Sequence, residues 1–214
     1  MFQNIFRIDS IFYRIGTKIG HLLVLNLLII LTSLPIVTIG AAQTAGFDVT
    51  KRMILFDENK IISTYIQSFK KNIKISTLMM VILVGVFYFL WIDWQFLLSI
   101  NGNQPFNFIG VFIVTILTLN SWQYAFFYQA TYNDTIQQTF KNTLKIFIKR
   151  PFISLFSIVL LVGPYILLGL SGYLIIFGLY VHLFIGFSFH LYLRTFILLF
   201  IFNKVLNPFK MSIV

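Results

Sequence analysis

Long apolar runs separated by short polar segments form the dominant pattern of this chain. A helix needs about 20 apolar residues to cross the roughly 30 Å hydrocarbon core of a bilayer. Breaks at Pro35, Gly40 and Gly172 mark helix boundaries between runs. The pattern predicts an all-α integral membrane protein, one helical bundle over residues 1–214. Its six spans are predicted at about residues 17–34, 40–56, 76–98, 107–132, 151–171 and 173–200.

The stretch Leu22–Gly46 decides the topology of everything that follows it. Its first helix ends at Leu34, and a second run resumes after Pro35 and Gly40. The rise from Leu22 to Leu34 is about 20 Å, shorter than the bilayer core unless the helix starts earlier in the chain. Two topologies are therefore open: two crossings joined by an external turn, or a re-entrant hairpin buried within the bundle. We favour two crossings.

The second run, Ala41–Phe56, is less hydrophobic and carries closely spaced small residues. Such spacing lets helix backbones approach each other, which predicts a helix packed inside the bundle. Asp48 precedes Lys51 and Arg52 by three and four residues, so an ion pair along the helix is expected near the cytoplasmic boundary. The small residues pair as Ala41 with Ala45 and Ala42 with Gly46.

The amino-terminal segment Met1–Gly20 has apolar residues at helical spacing, with Arg7, Arg14 and Lys18 on another face. This pattern predicts an amphipathic helix at the cytoplasmic surface of the membrane. A signal peptide is the alternative, because basic residues, an apolar core and a small-residue site follow in that order. The length of the amphipathic start and the apolar sequence beyond it favour the surface helix.

Two basic amphipathic connectors, Asp57–Lys74 and Asn133–Arg150, are predicted between spans. Their apolar faces with flanking lysines suit docking to a partner protein. The two segments resemble each other at an offset of 71 residues, which indicates either an internal repeat or two independent connectors of the same type. The candidate docking residues are Phe69, Lys70, Lys74, Phe140, Lys141 and Lys145.

Composition and charge support this picture. Hydrophobic residues make up 58% of the chain and charged residues only 10%, so a lipid bilayer is the expected partner. The net charge of +10 lies in clusters between spans, which indicates membrane orientation and excludes a nucleic-acid-binding class. Basic clusters face the cytoplasm, so six crossings would place both termini inside, in a multi-pass protein of the cytoplasmic membrane.

Several polar residues fall inside the predicted spans. Ionisable groups are costly in a bilayer and usually face the bundle interior or a water-filled cavity. A stripe along the last span could line a path for a solute or proton; alternatively, its histidines bond to neighbouring helices and its arginine reaches the interface. Two amide side chains in the fourth span, three residues apart, could form interhelical hydrogen bonds or contact a solute. The stripe is His182, Gly186, His190 and Arg194, and the pair is Asn120 and Gln123.

No catalytic constellation is evident in the sequence. The three histidines and six acidic residues show no metal-ligand spacing, and no nucleophile stands beside a base. The chain has no Cys, which excludes disulfides and thiolate chemistry. Trp91, Asp93 and Trp94 are typical of an interfacial aromatic belt, with sugar stacking as the alternative. A non-enzymatic protein without a cofactor or metal is therefore predicted.

The run from Asn26 through Leu34-Pro35-Ile36-Val37-Thr38-Ile39-Gly40 resembles the YesL-like family of bacterial membrane proteins. Asp57-Glu58 and the later Ser68-Phe69-Lys70-Lys71-Asn72-Ile73 fit the same resemblance. The resemblance implies a bacterial protein and an accessory role beside a carbohydrate importer of the ATP-driven, binding-protein-dependent type. It transfers no catalytic residues.

Three functions are therefore expected in order of preference. The first is a non-catalytic accessory subunit that contacts the permease or ATPase of a carbohydrate importer. The second is a stand-alone transporter or channel for a small polar solute. The third is a membrane scaffold or assembly factor. The sequence names no substrate, partner or oligomeric state.

Overall fold

The computed structural model describes residues 11–99 and 105–205, and within them the chain is helical except at short connections. No strand occurs in these two ranges, so the predicted all-α class is confirmed. Parts of the predicted amino-terminal helix, the loop after Ser99 and the tail lie outside the described residues. The elements are α1 (Ile11–Ser33), a 3-10 turn (Ile36–Thr38), α2 (Ile39–Phe56), α3 (Ile61–Ser99), α4 (Pro105–Tyr132), α5 (Ile136–Lys149), α6 (Pro151–Gly169), α7 (Gly172–Val181), a π segment (His182–Gly186) and α8 (Phe187–Val205).

Local backbone chemistry sets several helix ends. Asp57 and Asn133 adopt left-handed φ angles of 48° and 51°, which these two residue types tolerate, and they end α2 and α4. Arg150 leaves the helical region, at φ −143° and ψ 64°, because the following Pro151 disfavours that region for its neighbour. Pro151 then begins α6, where its missing N–H costs nothing.

Helix α3 differs from its predicted organisation. The predicted connector Asp57–Lys74 and the predicted span at residues 76–98 lie for the most part in one continuous helix of 39 residues. No Pro and only one Gly, Gly85, occur within it, so nothing interrupts the backbone hydrogen bonds between connector and span. The helix is about 58 Å long, almost twice the thickness of the hydrocarbon core. The second connector, by contrast, forms the separate helix α5.

Helix α2 is the central packing element. Ala41, Ala42 and Ala45 are fully buried, as the small-residue spacing predicts. A Cβ atom on Gly40 would lie 2.5 Å from the carbonyl oxygen of Ser76, so glycine allows the backbones of α2 and α3 to meet. The hydroxyls of Thr44 and Ser76 are 2.8 Å apart, which adds a hydrogen bond at the same crossing.

The contacts of α2 lie along the first half of α3. Phe56, at the end of α2, and Thr64, near the start of α3, line one cleft. A Cβ atom on Gly40, at the other end of α2, would lie 2.9 Å from Cβ of Met80. The part of α3 from residue 81 to Ser99 continues for about 28 Å beyond that point.

Helix α4 packs against this second half of α3. The rings of Phe87 and Trp122 have centroids 5.6 Å apart. Further along, the indole N–H of Trp94 donates a hydrogen bond of 3.1 Å to Thr115. Helices α2 and α4 therefore cover different lengths of the same long helix.

Five helical stretches among the described residues are long and apolar enough to cross a membrane, and α2 is not among them. Asp48, Lys51 and Arg52 lower the hydropathy of α2, which has only 18 residues. These apolar helices indicate a membrane protein, while the sixth crossing stays a prediction. The five stretches are Phe12–Ser33, Ile61–Ser99, Asn107–Tyr132, Pro151–Gly169 and Gly172–Phe202.

Candidate functional site

Helix α7, the π segment and α8 form one continuous helix whose hydrogen bonding changes between His182 and Gly186. A π segment shifts the backbone pairing and exposes polar groups, and such segments are frequent at functional sites. Asn26 of α1 satisfies these groups. Its Nδ2 donates to the carbonyl oxygens of His182 and Leu183 at 3.0 and 2.9 Å. Its Oδ1 accepts a 3.0 Å hydrogen bond from the backbone N–H of Ser188.

Asn26 is fully buried, so its side chain bonds within the protein and fixes α1 to the π segment. The hydroxyl of Ser188 adds a second link, donating to the carbonyl oxygen of Leu22 at 2.7 Å. The sequence analysis missed this role. The position of the Asn26 amide within the apolar run of α1 is the feature that points to such a role. Its partners cannot be predicted, because they depend on a π segment that has no recognisable sequence pattern.

His182 packs on its own helix. Its Nδ1 lies 2.8 Å from the carbonyl oxygen of Gly178 and must carry the proton, since a carbonyl only accepts. A Cβ atom on Gly186 would lie 2.8 Å from Cγ of the His182 ring, so the ring covers the glycine. The ring also contacts Tyr165 of α6, with centroids 5.7 Å apart.

His190 hydrogen-bonds to a backbone carbonyl that has no helical partner, because a proline replaces the usual N–H donor. Pro164, inside α6, has no N–H, so the carbonyl oxygen of Leu160 lacks its normal helical partner. Nε2 of His190 lies 3.0 Å from this oxygen and donates to it. His190 thus bonds to a neighbouring helix, as expected if the stripe is structural, whereas His182 bonds to its own helix. Arg194, expected in that case at the membrane interface, is buried instead.

A cavity of about 210 Å³ lies beside His190, between α1, α2, α6 and α8. We refer to it as the α2–α8 cavity. Polar and apolar side chains share its wall. The polar lining residues are Ser33, Gln43, Tyr165, His190 and Arg194, and the apolar ones are Ile29, Ile30, Ile39, Phe187 and Leu191.

Arg194 is the charged group of this cavity. Its side chain is only 4% exposed, and its Nε and Nη2 atoms have no hydrogen-bond partner. The guanidinium carbon lies 5.1 Å from the centroid of the Phe47 ring, a cation–π contact. No carboxylate in the described ranges pairs with it. The buried Oε1 atom of Gln43, in the same wall, also lacks a partner.

The predicted polar stripe therefore divides. His190 and Arg194 meet in the cavity, whereas His182 is not part of its lining. Asn120 and Gln123 lie elsewhere, buried on α4. Both polar atoms of the Asn120 amide lack a hydrogen-bond partner, so the interhelical hydrogen bonds predicted for this residue are absent.

Asp48 forms the ion pairs that its spacing predicts. Its Oδ1 lies 3.5 Å from Nζ of Lys51 and 3.3 Å from Nε of Arg52. Lys51 also donates to the carbonyl oxygen of Ala130 at 3.3 Å, in the last turn of α4, where carbonyls lack helical partners. Asp48, Lys51 and Arg52 line a second cavity, of about 250 Å³, together with Lys71. One carboxylate and three basic residues therefore line this cavity, a formal net charge of +2.

The candidate docking residues face two ways. Phe69 and Phe140 are half-buried and pack against the protein's own apolar core. The four lysines of the same set, Lys70, Lys74, Lys141 and Lys145, are exposed. The lysines thus leave positive charge on the surfaces of α3 and α5, whereas the two phenylalanine side chains stabilise the core.

Replacing Asn26 by Leu should destabilise the protein. The substitution removes the partner of two carbonyls in the π segment and of the Ser188 N–H at the start of α8. A buried polar group without a partner costs about 1–3 kcal/mol, so a loss of at least that size is expected in the free energy of unfolding. Denaturation of the purified protein in mild detergent measures this free energy of unfolding.

Asn59→Leu, in the exposed connection before α3, is the matched control and should change the free energy of unfolding by less than about 0.5 kcal/mol. Equal effects of the two substitutions would contradict the assignment.

A family model described as "Protein of unknown function, DUF624" matches residues 22–94. The matched segment is about one third of the chain and contains Asn26 and Gln43, but it stops before His190 and Arg194. Among curated proteins and among solved structures, nothing matches the chain. The chain is therefore similar, over α2, about half of α1 and most of α3, to a family described as one of unknown function.

Proposed function

We propose that this chain is a multi-pass protein of the bacterial cytoplasmic membrane that binds a small polar solute in the α2–α8 cavity. The observation that carries the proposal is that two residues of the cavity lining hold unpartnered buried atoms: Nε and Nη2 of Arg194 on α8, and Oε1 of Gln43 on α2. A buried charge without a partner costs several kcal/mol, and a bound solute would supply the missing partners. This corresponds to the transporter or channel predicted as the second function.

The cavity also limits the size of the solute. Its volume of about 210 Å³ is below the range of about 300–1,000 Å³ that is usual for sites of drug-sized ligands. Isoleucine, leucine and phenylalanine side chains fill the rest of the wall. A small molecule with few polar groups, oriented by Arg194 and Gln43, fits this arrangement.

Labelling of a single cysteine tests whether a polar solute can enter. The chain has no native Cys, so Ser33→Cys, in the cavity wall, gives one thiol. In lipid nanodiscs, which expose both membrane faces, we expect a neutral water-soluble methanethiosulfonate to modify this thiol rapidly. The thiolate attacks the thio sulfur of the reagent, forms a mixed disulfide and displaces methanesulfinate. The thiolate forms in a hydrated cavity and is suppressed in lipid.

The matched control for entry is Val159→Cys, near the middle of α6, where the native side chain is 63% exposed on the outside of the bundle. We expect it to react much more slowly than Ser33→Cys. Equal slow modification at both positions would mean that the cavity is closed to water, and would contradict the proposed function.

We further propose that α1 and α2 form a re-entrant hairpin, which replaces two of the six predicted crossings. Two residues of α1, Lys18 and Thr32, contact the chain from the end of α2 to the first turns of α3. Nζ of Lys18 lies 3.6 Å from Asp57, and the hydroxyl of Thr32 is hydrogen-bonded to Tyr65, in the first turns of α3. The start of α2 reaches only the middle of α3, at Met80. These contacts support a hairpin that turns inside the bilayer.

The tip of the hairpin supports the same topology. Leu34, Ile36 and Val37 are 73%, 76% and 55% exposed, and three exposed apolar side chains suit lipid better than water. A hairpin also returns the chain to the side on which it entered. Four crossings, by α3, α4, α6 and the α7–α8 helix, then keep all four basic clusters in the cytoplasm.

Cysteine labelling distinguishes the two topologies. In nanodiscs, Ile36→Cys should react with a charged, membrane-impermeant thiol reagent as slowly as Val159→Cys, because lipid surrounds both. Tyr173→Cys, where the native side chain is 88% exposed at the start of α7, should react rapidly. Modification of Ile36→Cys at the rate of Tyr173→Cys would contradict the hairpin and favour six crossings.

As a second function we propose association with a carbohydrate importer, which rests on the resemblance of Leu34–Gly40 and its flanking residues. The exposed lysines of α3 and α5 are compatible with a docking surface. Affinity purification in mild detergent should recover a permease or ATPase with the wild type. Replacing Lys70, Lys74, Lys141 and Lys145 by Gln should reduce this recovery, whereas Lys60→Gln with Lys149→Gln should not. Recovery of the wild type without any transporter component would contradict the association.

A further inference from the structure

We infer that the ligand of the α2–α8 cavity carries an oxyanion, a carboxylate or a phosphate, bound by Arg194. This inference rests on the proposed function, since it assigns the chemistry of the solute. It starts from the charge of the cavity wall, whose lining includes one arginine and no acidic residue.

The charge of Arg194 is not neutralised within the described part of the chain. The carboxylate of α2, Asp48, holds Lys51 and Arg52 at 3.5 and 3.3 Å on its Oδ1 atom. The contact with the Phe47 ring, at 5.1 Å, occupies one side of the guanidinium but provides no hydrogen-bond acceptor. Arg194 therefore keeps both a positive charge and free donors.

The free donors have the geometry that oxyanions use. Nε and Nη2 belong to one planar fork, and a carboxylate or phosphate can accept from both at once. A neutral hydroxyl would satisfy only one of them and would leave the charge uncompensated. The unpartnered Oε1 atom of Gln43 can accept a hydrogen bond from a hydroxyl of the same ligand.

His190 has a different part in this site. Its Nε2 proton is directed to the carbonyl oxygen of Leu160, which Pro164 has freed, and so is not available to the ligand. The oxyanion is accordingly assigned to Arg194, with His190 as a positioning residue that links α6 to α8. The proposal thus concerns an arginine site rather than a histidine site.

The ionic selectivity of labelling at Ser33→Cys tests the inference. In phosphatidylcholine nanodiscs, we expect sulfonatoethyl methanethiosulfonate, an anion, to react about tenfold faster than the trimethylammonioethyl reagent, a cation, relative to their rates with a free thiol. The expected preference follows from the attraction of one unit charge at close range in a partly buried site. Adding Arg194→Gln should abolish the preference, and adding Arg52→Gln should leave it unchanged.

Arg194→Lys provides a second variant in case Arg194→Gln does not fold. It keeps the charge and loses the fork, so the preference should persist while protection by an oxyanion weakens. Equal rates for the two reagents in Ser33→Cys, or a faster cationic reagent, would overturn the inference. Absence of labelling by these reagents and by the neutral one would instead overturn the proposed function, so the two failures are distinguishable.

Protection from labelling identifies the source of the oxyanion. Glucuronate or inorganic phosphate, added to phosphatidylcholine nanodiscs, should slow the neutral reagent if the ligand is a soluble anion. Phosphatidylglycerol or oleate in the nanodisc should slow it if the anionic group belongs to a lipid. Either result supports the oxyanion. Protection by glucose alone, the neutral control, would overturn it.

Discussion

Backbone hydrogen bonding inside a bilayer is the constraint on which this structure depends. Lipid offers no partner to a carbonyl or N–H, so every departure from regular helix must be satisfied by the protein. Two departures occur close together: the π segment in the last helix and Pro164 in α6. Asn26 satisfies the first and His190 the second, each by reaching from a neighbouring helix. The two irregular places thereby fix α1, α6 and α8 around one cavity.

Much of the helical layout follows from the sequence. Left-handed Asp57 and Asn133 and the break before Pro151 lie where the polar pattern places helix ends. The pattern is less informative where no residue breaks the helix. Nothing between the lysines of the first connector and the following apolar run stops α3, so a change in polarity was mistaken for a change in structure. Polarity reports the environment of a helix, whereas Pro, Gly and capping residues report its ends.

The candidate site was predictable only in part. His190 and Arg194 stand out as polar residues in an apolar run, and they do meet in one cavity. The regular spacing of four residues places His182 in the same stripe. The π segment begins at His182, however, and the His182 ring packs over Gly186. Gln43 lies on α2, and its place beside the last helix depends on long-range packing that no local pattern encodes.

The two arginines at residues 52 and 194 differ in whether their side chains have a partner within the protein. Arg52 lies one turn from Asp48, and its Nε pairs with the carboxylate at 3.3 Å. Arg194 is buried beside a cavity with two free donors and no carboxylate partner in the described ranges. A structure of the protein in lipid nanodiscs, resolved well enough to show small ligands, tests this most directly. The account predicts non-protein density within about 3 Å of Nε and Nη2 of Arg194. A cavity filled by protein side chains, with Arg194 bonded to a carboxylate or carbonyl of the chain itself, would contradict it.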